Sequence, residues 1–243
     1  MNIMLFSNGK LPGNQQILEY GLEWIAEAVE RTKAKKFVFI PYAMIRGNYD
    51  ERVDALQEVL APHGCEVVGI HHADDPVKAI EEADGILVSG GNTWVLNKTL
   101  HDLGLIRPLR QAVLNHDKLY IGWSAGTNIG TPTIRTTNDM PIVTAAILPA
   151  LNFVPFQINP HYIEANISGH MGETRDERIE EFLVVNPHEV VVGIPEGTML
   201  QVIGDTLSYH SANQKPLKLF RHQQEAEYFN EGDDLAFLMQ HGC

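Results

Sequence analysis

The chain has 243 residues, 44% hydrophobic and 20% charged, with 31 acidic against 18 basic side chains and a formal net charge of −13. These proportions allow a substantial core and exclude a disordered chain, while the acidic excess disfavours nucleic acid and anionic membranes as partners. The same field repels acidic substrates, so a site for one needs positive charge placed locally.

The first residues, MNIMLFSNGKLPG, lack the basic segment and long apolar core of a signal peptide, and no stretch approaches ~20 apolar residues. A cytoplasmic protein is expected. Residues 3–6 read as the first strand, followed by a helix near 15–32 in which Leu18, Leu22, Ile25 and Val29 recur at helical spacing and should face a sheet. KFVFIPY (36–42) predicts the second strand. Val53, Leu56, Val59 and Leu60 mark the next helix, ended by Pro62, His63 and Gly64. CEVVGI (65–70), GILVSGG (85–91) and KLYIGW (118–123) predict three more buried strands separated by helical segments. The alternation defines an α/β class: a mostly parallel sheet with helices on both faces, in a single domain spanning 1–243.

After residue 130 the regularity weakens. TPTIRTTNDMP reads as an extended loop and FQINPHY (156–162) as a strand leading into a turn. Residues 174–185 predict a charged helix with Thr174 as N-cap, and VVVGIP (190–195) predicts a strand. MLQVIG and TLSYHS form a hairpin around Asp205, which LKLFRH (217–222) would extend. Cys65 and Cys243 lie far apart and are expected as free thiols in a reducing compartment.

The pentapeptide Gly122-Trp123-Ser124-Ala125-Gly126 is a G-x-S-x-G directly after an apolar strand, with the small-residue segment AGTNIG running on from it. That context is what a strand-turn-helix elbow requires: the serine sits in a strained turn with Oγ exposed, and the glycines let backbone pass. A serine hydroxyl needs a base and the base an orienting partner. Eleven histidines are available. His71 and His72 follow a strand end, where a surface role is expected, and His101, His116 and His188 fall in or beside helices. His161 differs because Pro160 interrupts strand pairing just before it, although a structural or surface role stays open on this ground alone. A second glycine turn, Ser89-Gly90-Gly91-Asn92-Thr93, lacks the lysine of a phosphate-binding loop and the spacing of a dinucleotide fingerprint. It suits one backbone N–H of an oxyanion hole, from Gly90 or Gly91, with Ala125 supplying the other.

Further blocks then carry a specific likeness: Leu5-Phe6-Ser7-Asn8-Gly9 with Leu11-Pro12-Gly13, Gly90-Gly91-Asn92-Thr93, the run from Pro132 to Pro141, Gln157-Ile158-Asn159-Pro160-His161, Gly172-Glu173-Thr174-Arg175 and Ile194-Pro195-Glu196-Gly197. With the serine elbow, these resemble the aspartyl dipeptidase family of peptidase E, related to cyanophycinases, over nearly the whole length. The resemblance implies a fold akin to class I glutamine amidotransferases, flavodoxin-like in architecture, with serine in place of the elbow cysteine. It implies hydrolysis of Asp-X dipeptides without metal or organic cofactor. A monomer or homodimer is expected, the sequence not deciding between them. The family's nucleophile falls on Ser124 and its base on His161. The third member matches Glu196 or Asp139; Glu196, at the C-terminal end of a buried strand, is favoured, and Asp139 would then hold the substrate ammonium. Gly91 and Ala125 fall on the oxyanion hole. Arg175 falls on the arginine for the substrate carboxylate, the local positive charge that an acidic protein needs. A cyanophycinase-like hydrolase of β-aspartyl peptides and a non-catalytic ligand-binding relative are the alternatives. A glutamine amidotransferase is disfavoured because Ser124 stands where cysteine is required.

Overall fold

A computed structural model describes residues 1–144, 147–164 and 172–240. Its strands are β1 (Asn2–Phe6), β2 (Lys36–Ile40), β3 (Glu66–Gly69), β4 (Gly85–Val88), β5 (Leu119–Trp123), β6 (Gln157–Tyr162), β7 (Val190–Pro195), β8 (Thr198–Ile203), β9 (Thr206–Ser211), β10 (Leu217–Arg221) and β11 (Glu227–Phe229). The α-helices are α1 (Leu22–Thr32), α2 (Tyr49–Leu60), α3 (Pro76–Glu82), α4 (Thr93–Asp102), α5 (Ile106–Leu114), α6 (Ala125–Asn128) and α7 (Arg175–Val185). None of the described helices is long and apolar enough to cross a membrane.

The main sheet runs β3-β2-β4-β5-β1-β8-β9, parallel through its first five strands, after which β8 and β9 add antiparallel. Its central strands are apolar throughout because both faces are covered, and the pleat sorts their side chains. Ile3, Leu5, Val38, Ile40, Ile86, Val88 and Tyr120 enter one core with residues of α3, α4 and α5. Met4, Phe6, Phe37, Phe39, Leu87 and Ile121 enter the other with Ile25 and Val29 of α1 and Leu56 and Val59 of α2.

Three expectations change. Residues 15–18 are not helical: Leu18 takes φ 57° and donates its N–H to the Gly9 carbonyl, and a short 3-10 turn leads into α1. Leu18 is still buried, but by a loop. The strand expected at 65–70 is an edge strand, β3, with Glu66 and Val68 exposed, because only β2 flanks it. LKLFRH does not extend the β8–β9 hairpin. It supplies β10 to a second sheet, β11-β10-β7-β6, in which β6 and β7 are parallel. Ile158, Val192, Ile194 and Leu219 of that sheet join the core beneath the main sheet, whereas Tyr162, Val191 and Phe220 face Ile179 and Leu183 of α7. Cys65 is buried and free, and Cys243 lies outside the described residues.

Candidate active site

β5 runs into a sharp reversal. Ser124 follows Trp123 with φ 53° and ψ −108°, outside the regions open to most L residues, and α6 begins at the next residue. The flanking glycines are demanded by space. A Cβ on Gly122 would lie 2.5 Å from the Gly126 carbonyl oxygen, and one on Gly126 would lie 2.3 Å from that of Val88. Ser124 N–H is anchored 3.1 Å from the Phe6 carbonyl at the end of β1, and the Thr127 hydroxyl donates to the same oxygen at 2.6 Å. Oγ is thereby held at the C-terminal edge of the parallel strands, where loops that bind ligands collect in such sheets.

His161 reaches this hydroxyl from the second sheet. β6 pairs with β7 as far as Pro160 opposite Ile194, then slips so that Tyr162 stands opposite Pro195. The turn expected at the proline is therefore a bulge in a continuing strand, and His161, left out of the ladder at φ 53°, points away from it. Its Nε2 lies 2.9 Å from Ser124 Oγ and its Nδ1 2.7 Å from Glu196 Oε1. An ionised carboxylate only accepts, so this chain of bonds puts the proton on Nδ1 and leaves Nε2 to accept from the serine.

Glu196 is the residue after β7, in a turn held by side chains from elsewhere in the chain. The Gly197 N–H donates to Asn8 Oδ1 at 2.8 Å, and the Asn213 amide donates to the Glu196 carbonyl at 2.8 Å. Gly197 takes φ 87°, and a Cβ there would meet Asn213 Nδ2 at 2.7 Å. The Tyr20 hydroxyl donates to the Asn8 carbonyl and side-chain oxygens. Burial, together with the nearby Glu196 charge, raises its pKa and keeps it a donor. The His161 and Glu196 side chains are 39% and 47% exposed, so solvent and a small ligand can reach the chain of bonds.

Asp139 is not bonded to His161. Its Oδ2 accepts from the Thr93 N–H at 2.8 Å, the Thr93 hydroxyl at 2.6 Å and the Thr137 hydroxyl at 3.0 Å, tying the loop to the first turn of α4. Gly91 takes φ 142°, where a Cβ would fall 2.0 Å from the Ala43 carbonyl oxygen, and a Cβ on neighbouring Gly90 would fall 3.1 Å from that of Ser124. Among the described residues, neither the Gly91 nor the Ala125 N–H donates to a side chain or to backbone outside its own element. Arg135 is committed elsewhere: it bonds Asn186 and Glu189 and lies over the Phe182 ring. Arg175 opens α7 behind a complete capping box of Thr174 and Glu177. Its Nη1 bonds Asn159 Oδ1 at 3.2 Å, two residues before His161. Burial and the charge of Arg178 lower its pKa, and among the described residues it makes no ion pair.

Ser7, Asn8, Asn159 and Asn213 carry no role in the sequence reading, since nothing local distinguishes them from loop polars. Among the described residues, Asp50, His71 and His72 bring three side chains of metal-ligating type together. Both Nε2 atoms, however, lie within 2.8 Å of Asp50 Oδ1, which suits two N–H donors on one carboxylate oxygen. His71 Nδ1 is buried without a partner, so ligation through Nε2 would leave a buried N–H unsatisfied where a metal-bound histidine normally has an acceptor.

A doubly covered, mostly parallel sheet with a hydroxyl, an imidazole and a carboxylate in line at its edge belongs to the class of serine hydrolases. The family model of peptidase family S51 matches residues 3–210, and the chain belongs to that family. It is 48% identical over 202 residues to peptidase E of Salmonella typhimurium, covering 83% of this chain and 86% of the relative, and 47% identical to peptidase E of Shigella flexneri over equal shares. Two solved structures share the fold. A candidate peptidase E of Listeria monocytogenes superposes with a TM-score of 0.63 at 24% identity, covering 86% of this chain and 98% of that one. A peptidase from an acI-B1 actinobacterium gives 0.67 at 18% identity, covering 96% of each. The chain is thus a serine peptidase acting on peptides.

Proposed function

We propose that the protein is a dipeptidase that cleaves after an N-terminal aspartate, with Ser124 as nucleophile, His161 as general base and Glu196 orienting the base. The observation that carries this reading is the unbroken chain from Ser124 Oγ through His161 to Glu196 Oε1, at 2.9 and 2.7 Å, on a strained elbow. Ser124 Oγ attacks the scissile carbonyl while its proton passes to His161 Nε2. Glu196 stabilises the resulting imidazolium, and the N–H groups of Gly91 and Ala125 receive the oxyanion. His161 then returns the proton to the leaving amine. Water, deprotonated by His161, hydrolyses the aspartyl ester and frees aspartate and Ser124.

Specificity follows from charge. Arg175 is half-buried and its hydrogen bond goes to a neutral amide, Asn159, so a substrate carboxylate would supply the missing anion. Asp139 uses Oδ2 for three bonds, and in this reading Oδ1 takes the substrate ammonium. The relatives at 48% identity are named peptidase E, which supports a peptidase but says nothing of its specificity. The protein would work in the cytoplasm, as a monomer or homodimer.

The test compares Asp-Leu, Asn-Leu, Glu-Leu and β-Asp-Leu as substrates, with fluorophosphonate labelling of Ser124 alongside. Asp-Leu should be preferred over Asn-Leu by ~10²-fold or more in kcat/KM, the order expected when a charged partner is lost. Equal turnover of the two would reject Arg175 as the reader of a carboxylate, and preference for β-Asp-Leu would move the protein toward cyanophycinase-like chemistry.

A further inference from the structure

The chain at the end of β1, Phe6 with Ser7 and Asn8 just past it, enters the site, and its three consecutive residues hold the backbone N–H groups of Ser124, of His161 and of Gly197 beside Glu196. The Phe6 carbonyl accepts from Ser124 N–H at 3.1 Å. Ser7 Oγ accepts from His161 N–H at 2.9 Å, and Asn8 Oδ1 accepts from the N–H of Gly197, the residue after Glu196, at 2.8 Å. Ser7 and Asn8 are 0% and 2% exposed, so these bonds do not compete with water.

The Ser7 hydroxyl has a second bond, donated to the Ile194 carbonyl at 2.8 Å. Its placement explains the bulge. Pro160 has no N–H, so in an unbroken parallel ladder its pairing with Ile194 would run through the flanking residues, including His161 N–H to the Ile194 carbonyl. Those two groups are the ones that Ser7 Oγ bridges. A hydroxyl from the main sheet stands between two strands of the second sheet, satisfies both ladder groups and keeps them from closing. The slip that follows, from Pro160 to Tyr162, leaves His161 at φ 53° with its ring toward Ser124.

We propose that Ser7 is a positioning residue for catalysis: its hydroxyl sets the β6–β7 bulge that aims His161 at Ser124, and with Phe6 and Asn8 it ties all three groups to β1. The inference rests on the serine mechanism proposed above. Ser7→Thr and Ser7→Val are close in shape, so the packing cost of the added carbon is shared and the hydroxyl alone distinguishes them. Fluorophosphonate labelling of Ser124 reads the Ser124–His161 pair without any substrate preference, and kcat and KM for Asp-Leu are measured per folded molecule by circular dichroism. Ser7→Val should label and turn over at least ~10-fold more slowly than Ser7→Thr, with KM within about 2-fold, because a shift of ~1 Å at a reacting group can cost ~10²-fold. Ser7→Ala should follow Ser7→Val. Equal labelling rates in the Thr and Val variants, or a rise in KM with kcat intact, would overturn the proposal. So would full activity in the folded fraction of Ser7→Ala, even if that fraction is small. Wild-type protein that hydrolyses Asp-Leu yet resists labelling at Ser124 would overturn the serine reading itself.

Discussion

Ser124 and His161 both hold φ 53°, one in a turn after a parallel strand and the other in a bulge, and the local cost of such backbone is of order 1–3 kcal/mol each. Strain of this kind persists only where surrounding bonds over-determine it, and at both residues the backbone N–H is held by Phe6 or Ser7, at and just past the end of β1. Ser124→Ala keeps the backbone and removes only Oγ, so it should fold normally and lose at least ~10³-fold in kcat. Substantial residual turnover, measured with Asp-Leu, would rule out the serine route. Glu196→Gln keeps the volume, but its amide cannot stabilise an imidazolium and can favour the wrong tautomer, so kcat should fall by ~10³ to 10⁴-fold with KM little changed. Asp139→Asn should act mainly on KM, and its defect should shrink for substrates with a blocked amino terminus. A collapse of kcat in Asp139→Asn, with Glu196→Gln active, would exchange the two roles. Both acids and the histidine were candidates from sequence. Glu196 is favoured over Asp139 from its place at a strand end, but the bond to His161 Nδ1, 35 residues away in the chain, is made only by folding.

At the scale of elements, α7 presents Arg175 from its first turn, where the capping box of Thr174 and Glu177 fixes the helix start. Thr174→Ala should cost about 1 kcal/mol of stability, the usual worth of an N-cap, and should raise KM for Asp-Leu more than it lowers kcat. Thermal unfolding with steady-state kinetics checks both. Gly91 lies between β4 and α4, with φ 142° and the Ala43 carbonyl oxygen 2.0 Å from where a Cβ would stand. Backbone cannot yield as a flexible side chain does, so Gly91→Ala should displace the turn. We expect kcat to fall by ~10²-fold or more, in line with the loss of one oxyanion donor, with lowered thermal stability. The cap at Thr174 was readable from spacing alone, since a capping box is local. The need for glycine at 91 was readable only as a turn, since the Ala43 carbonyl comes from a loop 48 residues earlier.

For the whole molecule, acid sensitivity follows from carboxylates that the fold holds in ionised form. At Asp84, burial opposes ionisation, but the Lys36 and Lys35 N–H groups and nearby lysine charges outweigh it and lower the pKa. The Lys218 ammonium and Tyr228 hydroxyl lower that of Glu164, and Thr174 lowers that of Glu177. Each folded-state value lies below the unfolded one, near ~4, so the contribution is present above that pH and is lost as pH falls through the folded value. Tm should therefore be insensitive to these groups between about pH 7 and 5 and should fall below about pH 4.5. Asp84→Asn, neutral throughout, should show a smaller drop in Tm between about pH 6 and 3 than the wild type. An equal drop would remove Asp84 from the account.

The sequence by itself determined the α/β class, the order of the parallel strands along the chain, the elbow at Ser124 and the cap of α7, because each rests on local rules: apolar runs in strands covered on both faces, glycine at a strained turn, a hydroxyl three residues before a glutamate. Tertiary structure alone decided that β6, β7, β10 and β11 form a second sheet, that β3 is an edge, and that Arg135 serves the scaffold while Arg175, among the described residues, bonds only the neutral Asn159. It also decided that the end of β1 reaches Ser124, His161 and the turn after Glu196 at once. These pairings join residues well apart in the chain, up to 189 positions between Asn8 and Gly197. Periodicity carries no information about them, because the partner of a strand edge or a buried hydroxyl is chosen by shape and bond satisfaction in the assembled core.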